Sequence, residues 1–470
     1  MATKLAIISD LHHFSKTLGT AGRAYELRSG SDQKALAESG DVIDSVFRTL
    51  GESDVDAVLI VGDITNDGER ASHEEMREKL RALRLKKPVY LITSTHDWCT
   101  DGNARRYVGA EVFHDVETVG GEELADYYDE FGKENEISRY KTDRGFYSRC
   151  FQVSDDLRLL AVNDDMDGEG GRSGYSPAHL NWMREQLAAA KKAGQKIIAM
   201  EHHLLLYNLS PLINKGQSIS NNYETAEALA DAGLKLIFVG HSHMLRTTEY
   251  ATPAGNKITQ INVGALCGYP APVNRLTMEG PKAYHKVEFL DGFMANGAFA
   301  DKEFFRQHTA NVLLHLVNAA ASGNKQDTMD RLGAHGIRLK ESLYPVLHIG
   351  AKKLQKLTVG RAGRLVNCLT LGKGVDRAAV KALKNDRLLP YAIDLFLCVF
   401  DGSESAKALP DAAKTIARDV GTLPGRVVSK LPVGRSRKES IRKITGQIEA
   451  LVFELVDPAG PDNIESVIEL

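Results

Sequence analysis

No apolar run in this 470-residue chain approaches the roughly 18 residues needed to span a bilayer. The N-terminus, four residues followed by the short apolar run 5–8, is too brief for the hydrophobic centre of a signal peptide. Cysteine is scarce and scattered: Cys99, Cys150, Cys267, Cys368 and Cys398 are odd in number and form no CxxC pair. A disulfide framework is therefore not expected, and a reducing cytoplasm is the expected location. Zinc-finger spacing, low-complexity tracts and a fixed repeat period are also missing. These absences set aside membrane-spanning, secreted-scaffold, disordered and nucleic-acid-binding classes.

What is present is ordinary globular composition, 43% hydrophobic and 26% charged. The length admits two or three domains. A net charge of −3 conceals an asymmetry: the last 170 residues carry 26 Lys and Arg against 19 Asp and Glu, the first 300 carry 33 against 43. The basic excess gathers in 351–390 and 426–443, where Arg426, Lys430, Arg435, Arg437, Lys438, Arg442 and Lys443 face Glu439 alone. Such a cluster is either a solvated helix face or a patch that meets the acidic first part or an anionic substrate.

The first 290 residues alternate short apolar runs with helical patterns. Runs at 4–9, 57–61, 88–92, 157–162, 196–200 and 234–239 are rich in Ile, Leu and Val and read as strands buried on both faces. The clearest helix spans 177–193, with Ser176 as N-cap, Pro177 in the first turn and Gly194 at the exit. Further strands near 146–153, 245–250, 257–263 and 283–288 lack helices between all of them, which predicts a mixed sheet or two sheets packed face to face. Segment 99–145 is too long for a plain connection and reads as an insertion beside the site. After about residue 300 the period becomes helical throughout. The expected organisation is an α/β (α+β) domain over 1–295 followed by an all-helical domain over 296–470.

The chemistry lies in what ends the strands. Asp10-x-His12, Gly62-Asp63, His96-Asp97, His202-His203 and Gly240-His241-x-His243 each follow an apolar run. Sites in α/β sheets form beyond the carboxyl ends of strands, so these distant pieces can converge. Two carboxylates and four imidazoles make a mixed N/O ligand set suited to Mn, Fe or Zn. A shared carboxylate lets a protein hold two cations about 3.5–4 Å apart, and Asp63, beside the tight Gly62 turn, is the best candidate for the bridge.

In order and spacing these five motifs resemble the calcineurin-like metallophosphoesterases, over about 1–290. The resemblance implies a β-sandwich flanked by helices and two divalent metal ions. By it, one ion takes Asp10, His12, Asp63 and His243, and the second takes Asp63, Thr95, His202 and His241. It makes His96 the non-ligand histidine that protonates or stabilises the leaving oxygen, and Asp97 the carboxylate that orients the His96 imidazole. Asn163-Asp164 resembles a loop that supports the site, and His203 either orients a substrate or bonds a ligand. The implied reaction is in-line attack on phosphorus by a hydroxide held between the metals. The Asp-x-His opening and late Gly-His-x-His are most similar to bacterial class III cyclic-nucleotide phosphodiesterases, some with a C-terminal helical domain. A phosphodiesterase acting on a small phosphate ester such as a nucleotide is therefore expected. A phosphomonoesterase and a non-catalytic scaffold of the same fold are the alternatives. The leaving group is assigned to loops 13–32, 99–145, 207–222 and 264–280, and the helical part to dimerisation, a lid or partner binding.

The family's third motif usually reads Gly-Asn-His-Asp or Gly-Asn-His-Glu, whereas here Ser94-Thr95-His96-Asp97 stands. A Thr hydroxyl is a shorter oxygen donor than an Asn carbonyl, so the second ion is expected to be held more loosely. Dialysis of the metal-loaded protein should remove one ion well before the other. Equal retention of both contradicts this.

Overall fold

The computed structural model describes residues 2–98, 102–429 and 435–470. Cys99, Lys430 and the side chains of Arg435, Arg437 and Lys438 lie outside the described residues.

Strand Ala57–Val61 shows why two sheets stack. All five residues are buried, with Leu59 and Val61 facing the second sheet and Val58 and Ile60 facing helices. A run apolar on both sides needs a cover on each. The first sheet has the spatial order Glu465–Glu469, Lys282–Phe289, Pro272–Glu279, Thr3–Ile8, Ala57–Val61, Val89–Ile92. The second runs Leu245–Ala251, Lys257–Val263, Leu236–Val239, Lys196–Met200, Leu157–Ala161, Tyr147–Ser154, Glu136–Lys141. Each sheet combines a parallel block with antiparallel strands: 3–8, 57–61 and 89–92 are parallel in the first, and 157–161, 196–200, 236–239 and 257–263 in the second. Their carboxyl ends therefore gather at common edges.

Ile7, Leu59 and Tyr90 meet Phe151, Leu159, Ile198, Phe238 and Ile261 between the sheets. Helices Ser39–Glu52 and Arg70–Arg84 cover the outer face of the first sheet through Val42, Val46, Leu50, Met76 and Leu80. Helices Pro177–Lys192 and Asn222–Asp231 cover the second through Met183, Leu187, Ala226 and Leu229. The result is the β-sandwich flanked by helices. The helix at 177 starts as its sequence predicts, with the Ser176 side chain accepting from His179 N–H and Pro177 in the first turn.

Helices from Glu303–Ser322 to Arg435–Val456 form the C-terminal part. Two features depart from the sequence pattern. Residues 264–280, expected as a loop, contain strand Pro272–Glu279, which joins Thr3–Ile8 to Lys282–Phe289. The helical run also ends before the C-terminus: Glu465–Glu469 returns as a strand on the edge of the first sheet, beside Lys282–Phe289. Five residues with charges at both ends carry too weak a period to announce a strand, and pairing with a distant edge decides it.

The two parts are joined through a buried cation. Arg246 is 2% exposed. Its Nη2 donates to Cys398 O at 3.0 Å and Ser403 Oγ at 2.9 Å, and Nη1 lies 3.7 Å from Glu454. Nearby, Leu245 N–H donates to Phe400 O, and Thr247 N–H to Asn463 Oδ1. Arg246→Ala removes the donor from two buried oxygens and leaves a cavity, so it should cost about 2–4 kcal/mol. Urea denaturation checks this as a lowered midpoint.

Candidate metal centre

The backbone at the candidate ligands is unusual before any side chain is considered. Asp10 (φ 52°), His12 (φ 39°), Asp63 (φ 51°), His241 (φ 64°) and His243 (φ 58°) all occupy the left-handed region. Each such non-glycine residue costs of order 1–3 kcal/mol and persists only where its surroundings over-determine it. Here His12 N–H donates to Asp63 O at 2.9 Å and Asp10 N–H to Gly62 O at 3.2 Å, which lock the first two strand ends together. Two glycines allow the close approach. A Cβ on Gly62 would stand 2.6 Å from His202 Nδ1, and one on Gly240 would stand 2.1 Å from Ser9 Oγ and 2.7 Å from Asp10 Oδ2.

These turns gather the side chains into two groups that share one residue. Asp10, His12, Asp63 and His243 form the first, and Asp63, His202 and His241 the second, with the candidate ligand atoms of each group within 4.8 Å of one another. Asp63 Oδ2 lies 3.6 Å from His12 Nε2 and 3.1 Å from His202 Nε2. His12 Nε2 and His243 Nε2 face each other at 3.0 Å, and His243 Nε2 lies 3.4 Å from Asp10 Oδ1. Nitrogens about 2.0–2.1 Å from one cation would be separated by about this much.

The donor set fits a cation. Asp10, Asp63 and His202 are essentially fully buried, and Asp10 Oδ2, Asp63 Oδ2 and His202 Nε2 have no hydrogen-bond partner among the described residues. His202 donates Nδ1–H to Val61 O at 2.7 Å, so in its neutral form Nε2 turns a lone pair towards the Asp63 carboxylate. Without a cation that contact is tolerable only with a proton between them, and the His202 pKa is accordingly raised. Burial opposes the rise, and Asp63 outweighs it. Burial alone would raise the Asp10 pKa, yet His243 and His12 hold it well below the usual carboxylate range. A divalent ion in each group would supply the same compensation without that proton.

Three other predicted residues sit on the turn Thr95–Asp97. Thr95 opens it, half-buried. The next backbone N–H, that of His96, donates to Asp63 Oδ1 at 3.3 Å, which sets the turn against the centre. The His96 ring packs edge-on against His12 at 4.9 Å between centroids. Its side chain is 34% exposed, and Nδ1 bonds Asn66 O and, at 3.1 Å, Asp67 Oδ1. The expectation that Asp97 orients this imidazole is corrected. Asp97 instead accepts from Ser94 N–H at 2.9 Å and from Thr65 N–H at 2.8 Å, staying fully buried beneath the turn. Burial, then the Asp63 charge, pushes its pKa up to about 7. A carboxylate next in sequence to a histidine points elsewhere, and Asp67, 29 residues away, takes its place.

Asp164 supports the site as its position suggested, accepting from His203 N–H at 2.8 Å and lying 3.2 Å from Nδ1 of the same ring. His203 in turn packs 4.2 Å from the His241 ring. Sequence patterns also missed Gln33. Its amide nitrogen contacts His243 Nδ1, and its Oε1 has no hydrogen-bond partner among the described residues. Turned so that Oε1 accepts Nδ1–H, it leaves His243 Nε2 free for a cation. Gln33 sits in a loop without motif spacing, so only the folded chain reveals it.

The calcineurin-like phosphoesterase family model matches residues 3–245, more than half of the chain and every strand end described above. The chain belongs to this family. No curated protein is similar enough to match. Among solved structures, a dimetal phosphatase from Danio rerio is 11% identical and covers 61% of this chain and 96% of its own, with a TM-score of 0.42. The NAD nucleotidase of Haemophilus influenzae is 12% identical, covering 77% and 62%, with a TM-score of 0.27. A 5′-nucleotidase from Candida albicans is 11% identical, covering 76% and 60%, with a TM-score of 0.31. Likeness this low says nothing about what the chain acts on.

Gly240→Ala forces its new methyl against Ser9 and Asp10 and must displace the first strand end. Titration of the metal-free protein with Mn should show affinity at least about tenfold weaker, while circular dichroism retains the fold. Unchanged affinity contradicts the placement of Asp10 as a ligand.

Proposed function

We propose that the chain is a metal-dependent phosphodiesterase working through two divalent ions. The observation that carries this is Asp63, shared between two groups of imidazoles and carboxylates in a family of phosphoesterases. Asp10, His12, Asp63 and His243 would hold one ion, and Asp63, His202 and His241, with Thr95 as an oxygen donor, the second. Bound there, such ions neutralise phosphate charge and provide a hydroxide nucleophile near neutral pH. Mn, Fe and Zn all suit the donors.

His96 supplies the proton. With Nδ1 engaged by Asn66 O and Asp67, Nε2 is the nitrogen left to reach the departing oxygen and protonate it as the P–O bond breaks. Its pKa is raised despite burial, because Asp63 and Asp67 favour the imidazolium. Asp67 is thus the positioning residue for this acid. The preference for diesters over monoesters follows the similarity of Asp10-x-His12 and Gly240-His241-x-His243 to the class III enzymes. A cytoplasmic setting fits the free, buried thiols of Cys150, Cys267 and Cys398. No described helix is long and apolar enough to cross a membrane. Exposed Val346, Ile349, Leu365, Leu369 and Leu371 favour self-association through the helical part.

Hydrolysis of bis-(p-nitrophenyl) phosphate and p-nitrophenyl phosphate, each with Mn and with EDTA, tests this. Metal-dependent cleavage of the diester alone is expected. Equal cleavage of the monoester favours a phosphomonoesterase, and no cleavage of either favours a scaffold. His96→Ala should lower kcat about 10²–10⁴-fold with bound metal unchanged. Asp67→Asn should lower kcat about tenfold and move the alkaline limb of the pH profile, where the His96 imidazolium loses its proton, to lower pH. Asp97→Asn should act on thermal stability instead.

A further inference from the structure

The segment after the first strand contains a lysine that no motif accounts for. Lys34 is 5% exposed, a degree of burial lysine rarely reaches without a partner. Its Nζ makes no hydrogen bond among the described residues. The nearest carboxylate oxygen, Asp32 Oδ2, is 3.7 Å away and already accepts from Arg28 Nη1 at 2.5 Å. A lysine side chain sunk this deeply, whose ammonium has no hydrogen-bond acceptor among the described residues, is completed by an anion that reaches it.

Its position says which anion. The neighbouring residue Gln33 touches the His243 ring and packs against Gly268, where a Cβ would stand 2.0 Å from its Oε1. Ala35 N–H donates to Cys267 O at 2.8 Å. Gln33 is thus pinned at His243 and Ala35 at Cys267, which fixes Lys34 between them, and a positive charge there opposes protonation of His12 and His96.

The C-terminal helices hold this segment. Arg23 Nη2 bonds Asp327 Oδ1 at 2.5 Å and reaches Asp330 at 3.5 Å. Gly30 lies close against them, with His315 Nδ1 and Arg331 Nη1 3.0 and 3.2 Å from where a Cβ would be. His308 lies against the backbone of Asp32 and Lys34. Helices Glu303–Ser322 and Lys325–Ala334 therefore clamp the stretch that delivers Lys34.

We propose that Lys34 binds a phosphoryl oxygen at the metal centre, presented by a segment that the C-terminal helices hold in place; this rests on the phosphoester reading of the site. A tetrahedral phosphate facing two cations still has charged oxygen to neutralise, and an ammonium does so as a point charge. If Lys34 only balanced Asp32, its loss would lower stability without changing affinity for phosphate.

Titration of inorganic phosphate into the Mn-loaded full chain separates these roles. Lys34→Met should raise the Kd for phosphate about tenfold or more with bound Mn unchanged, and Lys34→Arg should restore part of the loss. An unchanged Kd in Lys34→Met overturns the proposal, and so does loss of Mn together with phosphate, which would make Lys34 part of the scaffold. If Lys34→Met does not fold, Lys34→Gln decides by the same titration. Asp327→Asn, remote from every candidate ligand, should weaken phosphate by a smaller factor, and no change there removes the clamp. A parent protein that binds phosphate through Lys34 yet cleaves neither nitrophenyl ester fails the hydrolase reading and leaves this one standing.

Discussion

Asp63 sits almost completely out of water, 3.1 Å from one imidazole nitrogen and 3.6 Å from another, with one carboxylate oxygen lacking a hydrogen bond among the described residues. A carboxylate in that position is tolerable only with positive charge close by. The turns, the glycines and the order of the strands around it can all be understood as ways of bringing compensating groups to this one oxygen. The imidazoles of His12 and His202 arrive from the first and second sheets, so the sandwich is what makes the compensation available. Neither sheet alone carries enough ligands.

The same requirement explains where the backbone is strained. Five candidate ligands hold left-handed conformations, although Asp and His lack the freedom of glycine there. An extended continuation would keep Asp10 and His12, or His241 and His243, on one face but about 6–7 Å apart along a straight line. The left-handed residues bend the chain instead, so that Asp10 and His12 meet in the first group while His241 turns to the second group and His243 to the first. Glycine is reserved for contacts in which a Cβ would meet His202 or Asp10.

The helical part is tied to this arrangement at two places. Arg246, buried beneath Cys398 and Ser403, anchors it to the strand that follows the Gly240-His241-x-His243 turn. Arg23, Gly30 and the Asp32–Lys34 backbone meet the first two C-terminal helices beside the centre. The strand Glu465–Glu469 then returns the chain end to the first sheet. The C-terminal segment is thus built into the edge of the sandwich at one end and against the site at the other.

The strand ends, the six Asp and His residues that the fold gathers around Asp63 and the family were legible in the sequence, because apolar runs and Asp-x-His spacing are local and survive without a structure. Distances in space are not local. The pairing of Asp67 rather than Asp97 with His96, the contact of Gln33 with His243 and the burial of Lys34 join residues with no spacing rule between them. Pro272–Glu279 and Glu465–Glu469 likewise became strands because an edge with free hydrogen-bonding groups was waiting for them. Local chemistry thus named the donors, while the docking of sheets and helices chose which carboxylate, amide and ammonium stand next to each.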